Sequence, residues 1–264
     1  MKYLTIFFIL PFMALISCRS VPKSAADFSP YVQEKTIFLF PDRAEHSPRM
    51  SISLNALEFV GNVGLQECIY RVLYDGLVPA RYGDTLIDSW KERYANAADG
   101  REKSYGESFN WEYIETIEAA DVGRVVQVKR TRYEYTGGAH GDQREEFYLF
   151  DKIGKDGNTP HYVILNDIIP LDAHADLLQI VELRLRKDEG LTSEAPLSEN
   201  GFLEDVIEMP SGFSLALREG ASSGVVFHWN PYEIAPYVRG QVETLVPYEE
   251  IESLLTSYGR DLLK

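Results

Sequence analysis

A glycine-rich loop between two alternating runs constrains the fold of this chain more than any other stretch. Residues 133–142 read YEYTGGAHGD, and the runs on either side, 124–135 and 145–150, mix charged residues with β-branched and aromatic ones. Two such runs joined by a short loop that contains glycine predict an antiparallel hairpin. Gly137, Gly138 and Gly141 are expected to supply the positive φ angles that a tight reversal needs.

His140 lies near the tip of this predicted loop and allows two interpretations. It could be a displayed ligand or acid/base group, or its ring nitrogens could hold the loop by hydrogen bonds. The second interpretation is favoured, because no second His, Cys or carboxylate lies at metal-ligand spacing. We therefore predict neither a metal ion nor another cofactor.

The first residues indicate export from the cytoplasm. Lys2 precedes an apolar run over residues 4–15, and residues 1–17 have the form of a secretory signal peptide. The run ends in Leu-Ile-Ser-Cys, which resembles the lipobox of bacterial lipoproteins. That resemblance implies a lipid, such as palmitate, on Cys18 and a mature chain that starts there. We expect residues 18–35 to form a polar, lipidated tether in the cell envelope, with the folded part facing the periplasm.

Net charge limits the kinds of molecule that this chain can bind, and cysteine content limits its disulfides. The 264-residue chain has a formal net charge of −15 at pH 7, which disfavours nucleic acid and attracts basic partners. Apart from Cys18 the chain has only Cys68, so no intramolecular disulfide involving the mature core is expected. Cys68 falls on an apolar helical stripe, which predicts a buried, inert thiol. The protein is expected to be a monomer.

The order of patterns along the chain predicts an α+β fold. We expect antiparallel sheets, each packed by one or two helices, in two sub-domains over 36–130 and 131–264. Helical periodicity predicts helices over 65–77 and 167–187, and a short one over 202–207. The runs 213–218 and 225–229 predict a second hairpin.

The turn of that second predicted hairpin contains a sequence that resembles a serine-hydrolase motif. Residues 220–224 read GASSG and match the G-x-S-x-G pattern of a nucleophile elbow. An elbow needs a helix after the serine, whereas residues 225–229 continue as a strand, so a serine hydrolase is not favoured. A set of aromatic residues could instead line a contact surface, with core packing as the alternative use: Tyr133, Tyr135, Trp229, Tyr232, Tyr237 and Tyr248.

Three stretches together resemble a known family. They are YTGGAHG at 135–141, FDKIGKDG leading to VILNDI at 150–168, and YEIAPYVRG with VPYEEI at 232–251. They are similar to the extracellular domain of the anti-sigma-V factor RsiV, over about residues 140–258. Residues 35–130 resemble, by element order, the companion domain that also precedes the catalytic domain of the peptidoglycan deacetylase PdaC.

The resemblance implies a binding module rather than an enzyme, because the RsiV domain is a sensor that binds lysozyme. Within the matching stretches the predicted binding residues are Tyr135, Gly137, Gly138, His140, Tyr232 and Tyr237. We therefore expect binding of an envelope ligand, either a lysozyme-like protein or peptidoglycan, without chemistry. The alternative is a hydrolase or deacetylase that acts on cell-wall glycan with His140 as acid/base.

Overall fold

The computed structural model describes residues 27–38, 40–41, 47–98, 110–218 and 221–263. The predicted signal peptide, the lipid-attachment residue Cys18 and the first part of the tether lie outside the described residues. Among the helices that are described, none is long and apolar enough to span a membrane.

The first six strands form one sheet in sequence order. They are β1 (Asp27–Phe38), β2 (Arg49–Val60), β3 (Trp111–Val122), β4 (Val125–Tyr135), β5 (Asp142–Asp151) and β6 (His161–Val163). Neighbouring strands are antiparallel except β2 and β3, which are parallel. Between these two, helices α1 (Val63–Leu73) and α2 (Pro79–Ala98) return the chain to the end of the sheet at which β2 started. The predicted α+β class is confirmed, with one parallel pair where only antiparallel pairs were expected.

A second, antiparallel sheet contains β7 (Gly212–Arg218), β8 (Ala221–Trp229) and β9 (Val242–Pro247). The predicted hairpin over 213–229 is confirmed as β7 and β8. Ser222 lies within β8, so the residues after it continue as a strand and the elbow geometry is absent there. The remaining helices are α3 (Leu165–Ile168), α4 (His174–Asp188), α5 (Tyr248–Ile251) and α6 (Ser257–Leu263).

Two predicted boundaries are wrong. The tether over 18–35 is shorter than expected, because residues 27–35 belong to β1 and pair with β2. The boundary between 130 and 131 passes through the middle of β4, and the six-stranded sheet takes strands from both predicted sub-domains. Polar, alternating residues on an outer strand look like a linker in sequence, because only one face of the strand is covered.

The helix predictions are confirmed in part. In α1, a stripe that includes Leu65, Cys68, Ile69 and Leu73 is buried, and burial raises the pKa of the Cys68 thiol. The helix expected over 167–187 is interrupted at Pro170 and splits into α3, a 3-10 turn and α4. The helix expected over 202–207 is wrong: Phe202 and Ile207 are buried from an irregular segment.

A buried ion pair lies on the side of the first sheet that α1 and α2 cover. Arg130 Nε is 3.4 Å from Glu115 Oε1, and both side chains are almost inaccessible. The Glu115 carboxylate also accepts hydrogen bonds from the hydroxyls of Tyr82, at 3.1 Å, and Tyr113, at 2.6 Å. Burial and the neighbouring carboxylate raise the pKa of both tyrosines. These bonds compensate the desolvation of the pair, so it has a structural explanation.

Two amide side chains join the sheets. Gln127 of β4 donates to the carbonyl of Leu215 at 3.2 Å and accepts from its N–H at 2.7 Å. Asn230, directly after β8, does the same for Glu145 of β5, at 3.1 and 2.7 Å. Each amide therefore pairs with both main-chain groups of one residue in the other sheet, as a neighbouring strand would. The second of these amides positions the candidate site.

Candidate functional site

The loop between β4 and β5 has the predicted hairpin geometry. The two strands pair up to Glu134 and Asp142, and Gly137 and Gly138 have φ angles of +104° and +102°. Gly141 serves a different purpose from the one expected: its φ is not positive, but a Cβ there would lie 2.4 Å from the Tyr133 ring. The Tyr133 ring packs directly against Gly141, so a larger residue there would displace the end of this ring.

His140 is held on three sides. Nδ1 lies 2.9 Å from the carbonyl of Gly141, and Nε2 lies 3.3 Å from the hydroxyl of Tyr232. Because a carbonyl oxygen only accepts, Nδ1 carries the proton and Nε2 accepts from the tyrosine. The imidazole also stacks on Tyr237, with ring centroids 4.0 Å apart and planes inclined by 16°. The predicted role of His140 as the residue that holds the loop matches these contacts.

The segment that meets the loop, residues 230–240, is tightly folded. The Glu233 carboxylate accepts from the N–H of Asn230 at 2.9 Å, and the N–H of Tyr232 donates to the carbonyl of Ala235 at 2.9 Å. Tyr232 has a φ of +70°, which is strained for a residue other than glycine. A 3-10 turn over Tyr237–Arg239 follows.

Arg239 fixes the far end of this segment. Its guanidinium pairs with the carboxylate of Glu189, donates to the carbonyl of Asn200 at 3.2 Å and lies 4.2 Å from the centre of the Phe202 ring. Asn230 fixes the near end through Glu145. Both ends of the segment are thus attached to other parts of the fold, so its exposed rings are presented on a rigid support.

Four side chains form what we call the aromatic surface: Tyr135, His140, Tyr232 and Tyr237. Tyr135 belongs to it through the loop, since its hydroxyl donates to the carbonyl of Gly138 at 3.1 Å. Tyr232 is 53% exposed, and its ring centre is 5.9 Å from that of Tyr237. The structure therefore brings together all six predicted binding residues, although His140 and Tyr232 are 92 positions apart. Trp229, by contrast, is in the core.

A cleft of about 250 Å³ opens beside the aromatic surface. Its lining comes from β5 and from the segment that follows β8: Gln143, Glu145, Asn230, Pro231, Tyr237, Val238, Arg239, Gly240 and Gln241. Of these, only Tyr237 was predicted from sequence. The Asn-Pro pair at 230–231 is a turn signal that could have drawn attention to Asn230. Gln143 and Gln241 carry no local signal, because only the fold brings both of them to one cleft.

The groups that contact His140 indicate which chemical roles it can take. Its hydrogen-bond partners in the described part of the chain are a carbonyl and a tyrosine hydroxyl, and His140 does not line the cleft. Within the same described ranges, no group of three or more His, Cys, Asp or Glu side chains is placed to hold a metal ion. The site therefore consists of the partly exposed rings of the aromatic surface beside a cleft with polar lining residues.

Comparison with known proteins identifies one part of the chain. Residues 166–249 match a family described as "Protein of unknown function (DUF3298)". This segment is similar to the DUF3298 domain. It includes Tyr232 and Tyr237 and ends before α6, whereas the loop at 136–141 precedes it. A comparison with curated proteins found no match.

Two solved structures share the fold. A DUF3298 family member from Bacteroides fragilis NCTC 9343 has a TM-score of 0.75 and 23% identity, over 91% of this chain and 98% of that one. A DUF3298 family protein from Pseudomonas aeruginosa PAO1 has a TM-score of 0.60 and 16% identity, over 89% and 96%. At these identities the similarity shows the fold alone. The finer resemblance to RsiV and to the PdaC companion domain stays a prediction.

Proposed function

We propose that this protein is a non-enzymatic binding module of the bacterial cell envelope. It is attached to the membrane by a lipid on Cys18 and faces the periplasm. The aromatic surface binds an envelope ligand, such as a lysozyme-like protein or peptidoglycan. This proposal goes beyond the match of residues 166–249 to the DUF3298 family, whose description names no activity.

One observation supports the proposal: exposed aromatic rings are held in place by contacts with one another and with the loop main chain. His140 is fixed by Gly141, Tyr232 and Tyr237, while Tyr232 keeps about half of its surface exposed. Tyrosine rings supply large contact areas, and rings that are already ordered lose little conformational entropy on binding. Such pre-organised aromatic residues are typical of interface hot spots.

The strained backbone of Tyr232 adds to this argument. A φ of +70° at a non-glycine residue costs about 1–3 kcal/mol. A glycine at this position would avoid that cost, but it would remove the exposed ring and the hydroxyl that holds His140. The strain is understandable if the position is used for recognition rather than for stability.

Charge favours a basic protein as the ligand. The formal net charge of −15 attracts a cationic partner and raises its association rate, an effect that decreases as salt is added. The contacts of His140 support binding over catalysis, because an acid/base role needs a ring nitrogen that can reach a substrate. Both nitrogens already have partners in the fold.

Calorimetric titration of the purified chain with lysozyme, and separately with soluble peptidoglycan fragments, tests the proposal at low and moderate salt. We expect saturable binding to at least one of them. Tyr232→Asn keeps a residue that tolerates the left-handed backbone but removes the ring, and Tyr237→Ala removes the stacked partner of His140. Each should weaken binding by about tenfold or more, which is the scale of a hot-spot residue.

Leu183→Asn is the control, since Leu183 is a 57% exposed apolar residue of α4 outside the aromatic surface. It should leave the affinity unchanged. Absence of binding to both ligands at low salt would refute the proposal. Steady turnover of glycan that His140→Ala abolishes would show an enzyme instead.

A further inference from the structure

Exposed aliphatic side chains lie on the segment 230–240 and on a second segment, residues 198–208. Leu203 is 46% exposed, Val206 is 72% exposed, and Val238 of the first segment is 94% exposed. Single apolar residues at a surface are common, but several on adjoining segments mark an interaction site. We call these three side chains the aliphatic surface.

Main-chain groups join the two segments. The N–H of Leu203 donates to the carbonyl of Ile234 at 2.9 Å, and the Arg239 guanidinium donates to the carbonyl of Asn200 at 3.2 Å. The segments therefore run beside each other over these residues. Since the segment 230–240 also carries Tyr232 and Tyr237, the aliphatic surface adjoins the aromatic surface.

The outward direction of Leu203 and Val206 follows from the residues next to them. Phe202 and Ile207 are buried in the core that includes the second sheet. These two rather than Leu203 and Val206 supply the apolar contacts that fold the irregular segment. The exposed pair adds nothing to that core, so its apolar character is not explained by folding.

Side-chain bonds also hold residues 198–208 in position. The Asp205 carboxylate accepts from the N–H and the hydroxyl of Ser198 at 2.9 and 2.8 Å. The indole N–H of Trp229 donates to the carbonyl of Glu208 at 3.1 Å. A segment that is already ordered loses little conformational entropy when a partner binds.

The charges around the aliphatic surface indicate the kind of partner that fits it. From residue 188 to residue 217 the sequence contains seven Asp or Glu residues and no Lys, Arg or His. Glu199, Glu204 and Glu208 are exposed, and their carboxylates form no ion pair with any residue that the structure describes. Such a stretch repels anionic lipid and attracts a surface rich in Lys and Arg.

We propose that the aliphatic surface belongs to a protein–protein interface and that its partner is a basic protein. An apolar side chain of the partner covers Val206, and Lys or Arg side chains face Glu204 and Glu208. An apolar centre with a charged rim is the ordinary composition of such interfaces. The inference rests on the proposed function and deepens it, because it selects a protein over peptidoglycan and extends the interface to residues 198–208.

Binding kinetics of the purified full-length protein on immobilised lysozyme, the basic probe, test this at low and moderate salt. Val206→Asn removes the apolar contact and should weaken binding about tenfold, chiefly through faster dissociation. The double variant Glu204→Gln/Glu208→Gln should slow association by about three- to tenfold and reduce its salt dependence. Lysozyme with acetylated lysines should bind about tenfold more weakly, because acetylation removes their charge.

Each variant has a matched control. Glu67→Gln/Glu92→Gln removes two exposed carboxylates from α1 and α2, which pack on the other face of the first sheet, so it changes the net charge equally. It should slow association less than Glu204→Gln/Glu208→Gln does. Leu183→Asn is the apolar control and should leave dissociation unchanged. Circular dichroism establishes folding, and the glutamine variants, which alter only exposed side chains, decide the test if Val206→Asn does not fold.

Unchanged dissociation of a folded Val206→Asn variant, equal association rates of the two glutamine double variants, or equal binding of acetylated lysozyme would overturn the inference. In those cases the proposed function stands, because native lysozyme still binds. If only peptidoglycan fragments bind, the inference fails and the proposed function again stands; if neither ligand binds, both fail.

Two other occupants of the aliphatic surface are tested with the same variants. Binding to vesicles of phosphatidylcholine and phosphatidylglycerol that Val206→Asn abolishes would assign the surface to a membrane. A dimer in analytical ultracentrifugation that Val206→Asn dissociates would assign it to a second copy of the chain. Either result, with lysozyme binding unchanged in that variant, would overturn the inference.

Discussion

Asn230 is expected to determine whether the aromatic surface is rigid, and its replacement gives the sharpest structural prediction. In Asn230→Ala, the N–H and carbonyl of Glu145 lose their bonds of 2.7 and 3.1 Å, and Ser211 loses a weaker contact at 3.3 Å. At about 1 kcal/mol for each good bond, with an addition for groups left partly buried, the free energy of unfolding should decrease by about 2–3 kcal/mol. With a urea m-value near 3 kcal/mol/M for a domain of this size, the midpoint should fall by about 0.7–1 M.

Gln127→Ala is the matched control, because Gln127 makes the same two-bond pairing with Leu215. We expect a similar loss of stability from either variant. The local effect should differ: of the two amides only Asn230 belongs to the segment 230–240, so only its replacement should speed hydrogen exchange at the amides of Tyr232 and Gly240. Those amides are bonded to the carbonyls of Ala235 and Tyr237 within that segment.

Mass spectrometry of exchanged peptides over 230–240, combined with urea unfolding, makes the comparison. A loss of less than about 0.5 kcal/mol in Asn230→Ala, the range of ordinary surface substitutions, would refute this role of Asn230. It is also refuted if both variants change exchange over 230–240 equally, because the support of the rings would then not depend on this amide.

Three further predictions follow from local geometry. Gly141→Ala places a Cβ 2.4 Å from the Tyr133 ring, whose partly exposed end must shift, so it should lower the free energy of unfolding by about 1 kcal/mol, measured in urea; no change would mean that the ring moves away freely. Asp151→Asn leaves Arg124 without its two-bond carboxylate partner at 2.9 and 2.7 Å, and should cost about 2–3 kcal/mol by the same measurement, less than a fully buried pair because Arg124 is partly exposed. Burial lowers the pKa of His228 to about 4, so between that value and the ordinary 6.5 the unfolded chain binds a proton that the folded chain does not. Stability should therefore fall by up to about 3 kcal/mol as the pH is lowered through this window, and His228→Gln should lose most of that slope in urea titrations at several pH values.

Some parts of this architecture could be read from the sequence because they depend on neighbours along the chain. The β4–β5 hairpin follows from alternation on both sides of Gly137 and Gly138, and the stripe through Cys68 predicts a helix with a buried thiol. Both are confirmed. Such patterns report which face of an element is covered, and nothing more is needed for a hairpin or an amphipathic helix.

The features that sequence reasoning missed depend on which elements meet. Alternation in β2 and β3 has the same appearance for parallel and antiparallel pairing, so the crossover through α1 and α2 was not anticipated. The segment around Phe202 buries apolar residues from irregular backbone, which period-based reasoning interprets as a helix. Asn230 acts through the main chain of Glu145 in β5, and its local sequence does not show this pairing.

The convergence of the predicted binding residues has a physical basis that the contacts make explicit. The loop at 136–141 is long enough to place His140 beyond the paired ends of β4 and β5, and the segment after β8 is attached to β5 by Asn230. Because that attachment is at Glu145, the fourth residue of β5, the rings of Tyr232 and Tyr237 are brought next to the loop rather than next to the sheet face. The conformational cost of the positive φ at Tyr232 is offset by contacts that stabilise the turn around it. These are the hydrogen bond to the Glu233 carboxylate and the ion pair of Arg239 at the far end of the segment.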